Sequence, residues 1–290
     1  MAPHEPLTPR LARLLPLLVC PACRGDLRRE PDALVCPPCA ASYPLRGGQV
    51  HFVSAPPPTD ELDRLKGALK RRLGGAYHTL GVNLIAPTFP FRYAHELRRR
   101  VDPTRALVVD LGSGNHRIDP DVVTVDLVAW DAVDVVCDLA RLPFRADSVD
   151  AFASRSVLEH VPEPQAVVGE LWRCTRPGGL SLHLVPFLYP FHASPHDYRR
   201  WTHAGLARLF EGFTVEEQWN ATGPVTLGLL LATETGAALL GLGSERRRAL
   251  AWLGLCGLTF PLKLLDAPFV GRRAFLGLAP TICTVLRKPS

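Results

Sequence analysis

Hydrophobic positions gather into short, unbroken runs through the middle of the chain: ALVVD (106–110), DVVTVD (121–126), VDVVCD (133–138), VDAFAS (149–154) and LSLHLVPF (180–187). Runs of this kind predict strands covered on both faces, because a strand with one wet face alternates instead. Between the fourth and fifth runs, PEPQAVVGELWRCT (162–175) spaces its apolar residues as a helix does and stops at Arg176-Pro177-Gly178-Gly179. EGFTVEEQWN (211–220) and PTICTVLRK (280–288) read as two further strands. Strands alternating with helices and glycine turns predict an α/β fold over 104–290, with an open, mostly parallel seven-stranded sheet. In such sheets, ligands sit beyond the carboxyl ends of the strands.

The flanks are patterned differently. Residues 11–54 hold short strand-like pieces, with DLRREPDALV read as a hairpin and SYPLRGGQVHFV as strand, turn and strand. SAPPPTD (54–60) is a proline-rich boundary. It opens a stretch over 55–103 of linker and covering helices, ELDRLKGALKRRL and then PFRYAHELRRRV. Leu62, Leu65, Leu69 and Leu73 form the stripe of the first helix. Residues 221–278 form an apolar helical insertion between the last two strands, its two halves split by SERRR. Glu234 interrupts the first half; Pro261 and Lys263 interrupt the second, so neither half reads as a clean membrane span. A cap over the substrate or a homodimer interface, a membrane-facing hairpin, and spanning helices all remain open.

Composition narrows the class. With 47% hydrophobic and 21% charged residues in 290, the chain can bury a core, and the net charge of +5 is modest. The basic runs are short, and no basic stripe interleaved with aromatics is present, so nucleic acid is not an expected partner. LARLLPLLVC (11–20) looks like a short signal core ending in a lipidation cysteine, but Val19 is bulky where cleavage needs a small residue and Pro16 breaks the run. The expectation is a cytoplasmic, reducing environment, with membrane association left to the insertion.

Eight cysteines include Cys20-x2-Cys23 and Cys36-x2-Cys39. Two such turns aim four thiolates at one point, the donor set tetrahedral Zn²⁺ prefers, and four thiolates leave no open position for catalysis. A structural zinc follows. LLVCPACRGDLRRE and LVCPPCAASYPLRGGQVHFV together resemble the small zinc-ribbon domain that precedes many bacterial methyltransferases. That resemblance implies a stabilising or partner-docking role for 11–54.

The strand ends carry the remaining chemistry. Gly112 and Gly114, around Ser113, let backbone approach a ligand closely. Asp126 ends the second strand, where a carboxylate can accept from ribose hydroxyls; Asp138 ends the third and can face an adenine amino group, with Leu139 and Leu142 flanking the base. The turn has no third glycine and no G-x-x-x-x-G-K-[ST], so a nucleoside suits it better than a dinucleotide or a P-loop nucleotide. VVDLGSGN, VTVDL, VCDLARLPFRADSVDAFASRSVLEHV and ELWRCTRPGGL, in that order, resemble the motif series of class I S-adenosylmethionine-dependent methyltransferases with a Rossmann-like sheet, closest to the ubiquinone- and menaquinone-biosynthesis group. By that resemblance Asp110, Gly112, Ser113 and Gly114 hold the methionine part, Asp126 and Leu127 the ribose, and Asp138 and Leu139 the adenine. The family's full helix after the first strand is reduced here to Asn115–Pro120, a turn at most.

VPFLYPFHASPHDYRRWTHAGLARLF (185–210) follows the fifth strand and should overhang the transferred methyl group, with Thr202 capping the helix that follows. Its Tyr189, Asp197, Tyr198, Arg199 and Trp201 are candidate substrate contacts; His192, His196 and, after the fourth strand, His160 are candidate bases for a hydroxyl acceptor. His192-x3-His196-Asp197 can also be read as a metal triad, without an evident fourth ligand. The expected function is methyl transfer from S-adenosylmethionine to a small-molecule, glycan or lipid-linked acceptor, at oxygen. The alternative is a non-catalytic cofactor-binding or docking module on a vestigial fold. Nucleic-acid methylation is disfavoured, since ASRSVLEH stands where an Asn/Asp-Pro-Pro-Tyr motif would be.

Overall fold

In the computed structural model, residues 8–53, 86–192 and 196–290 are described; the helix expected over 61–73 lies outside them. The N-terminal segment starts with helix α1 (Pro9–Leu14), capped by Thr8 Oγ1, which accepts from Leu11 N. Four short strands follow: β1 (Arg28–Arg29), β2 (Ala33–Val35), β3 (Ser42–Arg46) and β4 (Gln49–His51), paired antiparallel in succession. The expected runs then form β5 (Val108–Leu111), β6 (Val123–Asp126), β7 (Val135–Val136), β8 (Val149–Arg155), β9 (Thr175–Pro186), β10 (Thr214–Asn220) and β11 (Thr281–Arg287). Helices α2 (Tyr93–Arg98), α3 (Pro164–Cys174) and α4 (His203–Leu209) flank them.

The sheet departs from the seven-stranded, mostly parallel expectation. Among the described residues it is mixed and has eleven strands, in the order β1-β2-β3-β4-β7-β6-β5-β8-β9-β11-β10. Pairs from β4 through β7, β6, β5 and β8 to β9 are parallel; the β9-β11-β10 end and the ribbon hairpins are antiparallel. The difference arises at β7, whose unpaired edge would otherwise offer its backbone groups to other chains. There β4 adds in parallel, with Val50 opposite Val135 and Phe52 N donating to Val136 O at 2.8 Å. A second seam joins Val19 N to Pro143 O (2.8 Å) and Arg145 N to Leu17 O (2.9 Å). Arg24 reaches across to the Leu142 carbonyl and to Glu170. Leu11, Leu14, Leu18, Leu34 and Val50 share one buried cluster with Val109, Phe144 and Phe152. The ribbon is therefore built into the core sheet.

Within the ribbon the four Sγ atoms lie within 4.8 Å of one another, with Cys23 and Cys36 at 3.3 Å and Cys20 and Cys39 at 3.6 Å. All four are free thiols. Ligands about 2.3 Å from a tetrahedral Zn²⁺ stand roughly 3.8 Å apart, so the cluster fits zinc. Tyr43 Oη, 3.1 Å from Cys20 Sγ, supplies an outer hydrogen bond of the kind that orients a ligand.

The insertion forms α5 (Pro224–Leu240) and α6 (Glu245–Thr259), the latter continuing as tighter turns over Phe260–Asp266. The continuous helical run Glu245–Asp266 is 22 residues, and it is long and apolar enough to cross a membrane. The sequence reading stopped this run at Lys263. That residue and Asp266 are turned inward: Lys263 Nζ donates to Ala86 O at 2.9 Å, and Asp266 accepts from the N–H groups of Gly223, Val225 and Thr226 at the start of α5. A carboxylate there meets the unpaired amides and positive end of the helix.

Because the ribbon and the core share one hydrophobic cluster, Cys36→Ser is expected to release about one zinc per chain and to lower the melting midpoint of the whole protein. Elemental analysis and calorimetric melting check this; a metal-free wild type, or a separate ribbon transition with the main midpoint unmoved, would contradict it.

Candidate functional site

The carboxyl ends of β5, β6, β8 and β9 converge on one edge. After β5 the chain turns through Gly112 (φ +60°) and Gly114 (φ +59°), both in the left-handed region that favours glycine. A Cβ on Gly112 would stand 2.6 Å from Val157 Cγ2, so the glycine also lets this turn pack on the segment after β8. Asp126, at the tip of β6, accepts from Gly114 N at 2.8 Å through one oxygen and from Val128 N at 2.9 Å through the other. Ser113 N donates to Val125 O at 3.2 Å. The turn is thus held to the neighbouring strand by backbone and by the carboxylate expected to meet a ribose. Leu127, next in the chain, is exposed.

Residues 112–122 form turns with no helix, as the short spacing implied. Arg117 stabilises them, forking onto Asp134 (2.7 and 3.0 Å) and donating to the carbonyls of Val122 and Ala132. Asp138 is exposed and caps the turn Leu139–Arg141 by accepting from Ala140 N at 2.9 Å. Leu139 is buried beside it. Leu142, expected to flank the base, is wholly buried in the core instead, because the tight turn points it inward.

Asp110 is buried beneath the glycine turn. Burial pushes its carboxyl up to about 7, opposed by the charge of Arg155 and reinforced by that of Asp126. With Gly112, Ser113, His116 and Arg155 it lines a small cavity of about 30 Å³. Arg155, the last residue of β8, was not singled out from sequence; its position at a strand tip was the available signal.

The side expected to meet an acceptor is built on the segments after β8 and β9. Ser156 (φ +54°) turns the chain out of β8 into the tight turn Leu158–His160. Glu159 is fully buried there, and among the described residues neither of its carboxylate oxygens has a hydrogen-bond partner. His160 Nε2 lies 3.8 Å from it, and His192 Nε2, from the loop after β9, lies 3.7 Å from it. The two rings meet edge to face at 5.2 Å, with Tyr189 5.0 Å from His192. Burial alone would lower the His192 pKa, but the Glu159 carboxylate, the Pro190 carbonyl and Asp197 outweigh it, and the net direction is upward.

The other loop residues are placed as follows. Asp197 is clamped by Arg200, which approaches both of its oxygens, and accepts from His192 N at 2.9 Å. His196 is exposed, its ring beside Tyr198, and its carbonyl meets His160 Nδ1. Tyr198 is exposed and donates its backbone N–H to Glu159 O at 2.8 Å. Arg199 donates to the carbonyls of Val161 and Pro162, and Trp201 packs against the core. The structure brings His160 and His192 together with Glu159, while Asp197 and Arg200 hold the loop in shape. In place of the His192–His196–Asp197 combination, which the sequence only allowed, Glu159, His160 and His192 bring their donor atoms within 4.8 Å of one another. Glu159 was passed over in sequence, although it adjoins His160.

Comparison with known proteins was made on this geometry. Residues 93–182 match the methyltransferase domain family, and residues 12–48 match the Trm112p-like protein family. A protein of Mycolicibacterium paratuberculosis, described as an uncharacterized methyltransferase, is 38% identical over 108 residues, which is 34% of this chain and 42% of the relative. The chain thus spans less than half the length of that relative. Among solved structures, the phosphoethanolamine N-methyltransferase 2 of Haemonchus contortus, with phosphomonomethylethanolamine and S-adenosylhomocysteine, covers 77% of this chain and 59% of its own (TM-score 0.46, 18% identity). A Haloferax volcanii complex of the Trm112 methyltransferase activator with a methyltransferase covers 79% and 95% (TM-score 0.39, 21% identity). Residues 93–182 thus match a methyltransferase domain, and the ribbon that continues its sheet matches the Trm112p-like family over residues 12–48.

Proposed function

We propose that the chain transfers a methyl group from S-adenosylmethionine to an oxygen of a lipid-linked acceptor, working from the cytoplasmic face of a membrane. The observation that carries the transfer is the bond between Asp126 and Gly114 N, which presets a carboxylate and a glycine turn at adjoining strand tips. The ligand supplies an electrophilic methyl on a sulfonium; the protein aligns it. Asp126 accepts from the ribose hydroxyls, Asp138 faces the adenine over Leu139, and Asp110 lies under the positively charged methionine end. The acceptor hydroxyl enters between the turn after β8 and the loop after β9. There Glu159, His160 and His192 offer oxygen and nitrogen lone pairs for its proton.

What supports a lipid-linked acceptor is the inverted polarity of the insertion. Leu250, Leu253, Leu258, Leu262, Leu264 and Leu265 face outward, while Lys263 and Asp266 are buried. Only 17% of the apolar window in Glu245–Asp266 is buried, unlike a core helix. Arg246, Arg247 and Arg248 open α6, and Arg272 and Arg273 follow the insertion's turns. Outward leucines flanked by arginines match the boundary between acyl chains and anionic headgroups. The insertion adjoins the acceptor loop: Leu188 N donates to Ala279 O at 3.2 Å, and Phe187 N to Pro280 O at 2.8 Å.

Three outcomes are expected. Calorimetry with S-adenosylmethionine should show binding that Asp126→Ala weakens more than tenfold; unchanged affinity contradicts the ribose assignment, and no binding by the intact wild type ends the enzymatic reading. The positively charged ligand favours ionised Asp110, whose carboxyl sits at about 7 in the free protein. Below that pH, binding must displace a proton. Affinity should therefore fall by up to about tenfold per pH unit below 7 and level off above it, while Asp110→Asn should bind weakly without that pH dependence. Finally, the protein should float with vesicles containing phosphatidylglycerol, and Leu253→Glu with Leu258→Glu should abolish flotation while leaving cofactor affinity within twofold; flotation unchanged by both substitutions would sink the membrane reading.

A further inference from the structure

We propose that Glu159, His160 and His192 form a second metal site, for a divalent first-row transition ion, at the tips of β8 and β9. The case starts from hydrogen-bond polarity. Glu159 is fully buried, and among the described residues neither of its oxygens accepts a hydrogen bond. A carboxylate in that position is strongly disfavoured unless a cation faces it. The atoms that do face it are His160 Nε2 and His192 Nε2, at 3.8 and 3.7 Å.

The opposite nitrogen of each ring fixes what Nε2 can do. His160 Nδ1 contacts the His196 carbonyl, and His192 Nδ1 contacts the Pro190 carbonyl at 3.3 Å. A carbonyl oxygen only accepts, so each Nδ1 carries the hydrogen. Arg200 Nη2 also lies 3.4 Å from His192 Nδ1, but it is directed at Pro190 O (3.0 Å) and Asp197 Oδ2 (2.6 Å). In the neutral rings both Nε2 atoms then present lone pairs. With both rings neutral, two lone pairs and a carboxylate converge with no donor among them, and the ion competes with the proton that Glu159 otherwise draws to His192.

Two imidazoles and one carboxylate, each imidazole backed by an Nδ1–H to a carbonyl, are the donor set and outer support of zinc, iron and manganese sites with open positions. Donors about 2.1 Å from one ion stand roughly 3.0–3.4 Å apart. The three atoms here are within 4.8 Å of one another, so a modest rotation closes the set. His192, 36% exposed at its side chain, has room to make it. Three protein ligands leave places for water or a substrate oxygen, unlike the closed four-thiolate ribbon. The existence of the site does not depend on methyl transfer; its use does. On that reading the ion occupies the lone pairs of Glu159, His160 and His192 and takes over their part as base, binding the acceptor hydroxyl and lowering its pKa. The hydroxyl proton leaves to solvent water, and the oxygen forms its bond to the methyl carbon as the carbon–sulfur bond breaks.

The test uses full-length protein with zinc in the ribbon and neither cofactor nor acceptor. It is titrated with CoCl₂ by calorimetry and visible absorption. One equivalent is expected to bind, with ligand-field bands of nitrogen and oxygen donors and no thiolate charge-transfer band. Glu159→Gln and, separately, His192→Gln should weaken that binding at least tenfold while ribbon zinc and melting midpoint stay as in the wild type. If Glu159→Gln fails to fold, the partly exposed His192→Gln decides. No binding of a first added equivalent, or binding unchanged by the substitutions, overturns the site. The separate titration with S-adenosylmethionine distinguishes failure of this site from failure of the methyl-transfer reading.

Discussion

The bond from Gly114 N to Asp126 fixes the relation between two strand tips, and most of the candidate chemistry depends on it. A glycine turn alone is a mobile element, because the freedom that lets it adopt positive φ also lets it leave. Here a carboxylate from the next strand stops it, while β5 and β6 stay parallel beneath. The same carboxylate faces the crevice, so a ligand meets a group already positioned. Arg117 performs the comparable task on the far side, tying 112–122 to Asp134 where a helix would ordinarily stiffen the chain.

The sheet that presents these tips is closed at one edge by the ribbon. β7 is only two residues long, and a strand that short gains little from its own ladder. Its pairing with β4 gives it a partner on each side and shares one hydrophobic cluster with the cysteine turns. The ribbon thereby supports the strand that leads to Asp138. A metal held by the ribbon would act through the backbone on the strand that leads to Asp138, with no thiolate at that strand's end.

What could be seen in the sequence was whatever is local. Unbroken apolar runs located β5 to β9, because double burial leaves its mark residue by residue. Gly112, Gly114 and Asp126 were legible because conformational freedom and charge at a strand end are local too. The pairing of β4 with β7 was not, since it joins Val50 to Val135 and nothing in either tripeptide names its partner. Glu159 was missed for a related reason. Its neighbour His160 is the more familiar acid–base residue, and the convergence with His192 exists only once the loop after β9 has folded over the turn after β8. Leu142 shows the opposite error: expected to flank the base with Leu139, it is sent into the core by the tight turn.

The insertion shows why a hydropathy break cannot be read without its partners. Lys263 in an apolar run looks like an exposed interruption. In the fold its ammonium is held by the Ala86 carbonyl and lies 5.0 Å from the Phe260 ring centroid, while Asp266 caps α5. Satisfying those charges inside leaves the outer surface to leucines. An exposed leucine face of this size marks a surface that meets a partner or a membrane. On the membrane reading proposed above, its junction with the chain that carries Phe187 and Leu188 would put the apolar medium next to the loop after β9. An acceptor with an acyl or polyprenyl anchor would be held by the medium itself. Its hydroxyl would then need only a short reach to His192, and the aqueous part of the crevice would be left to the cofactor.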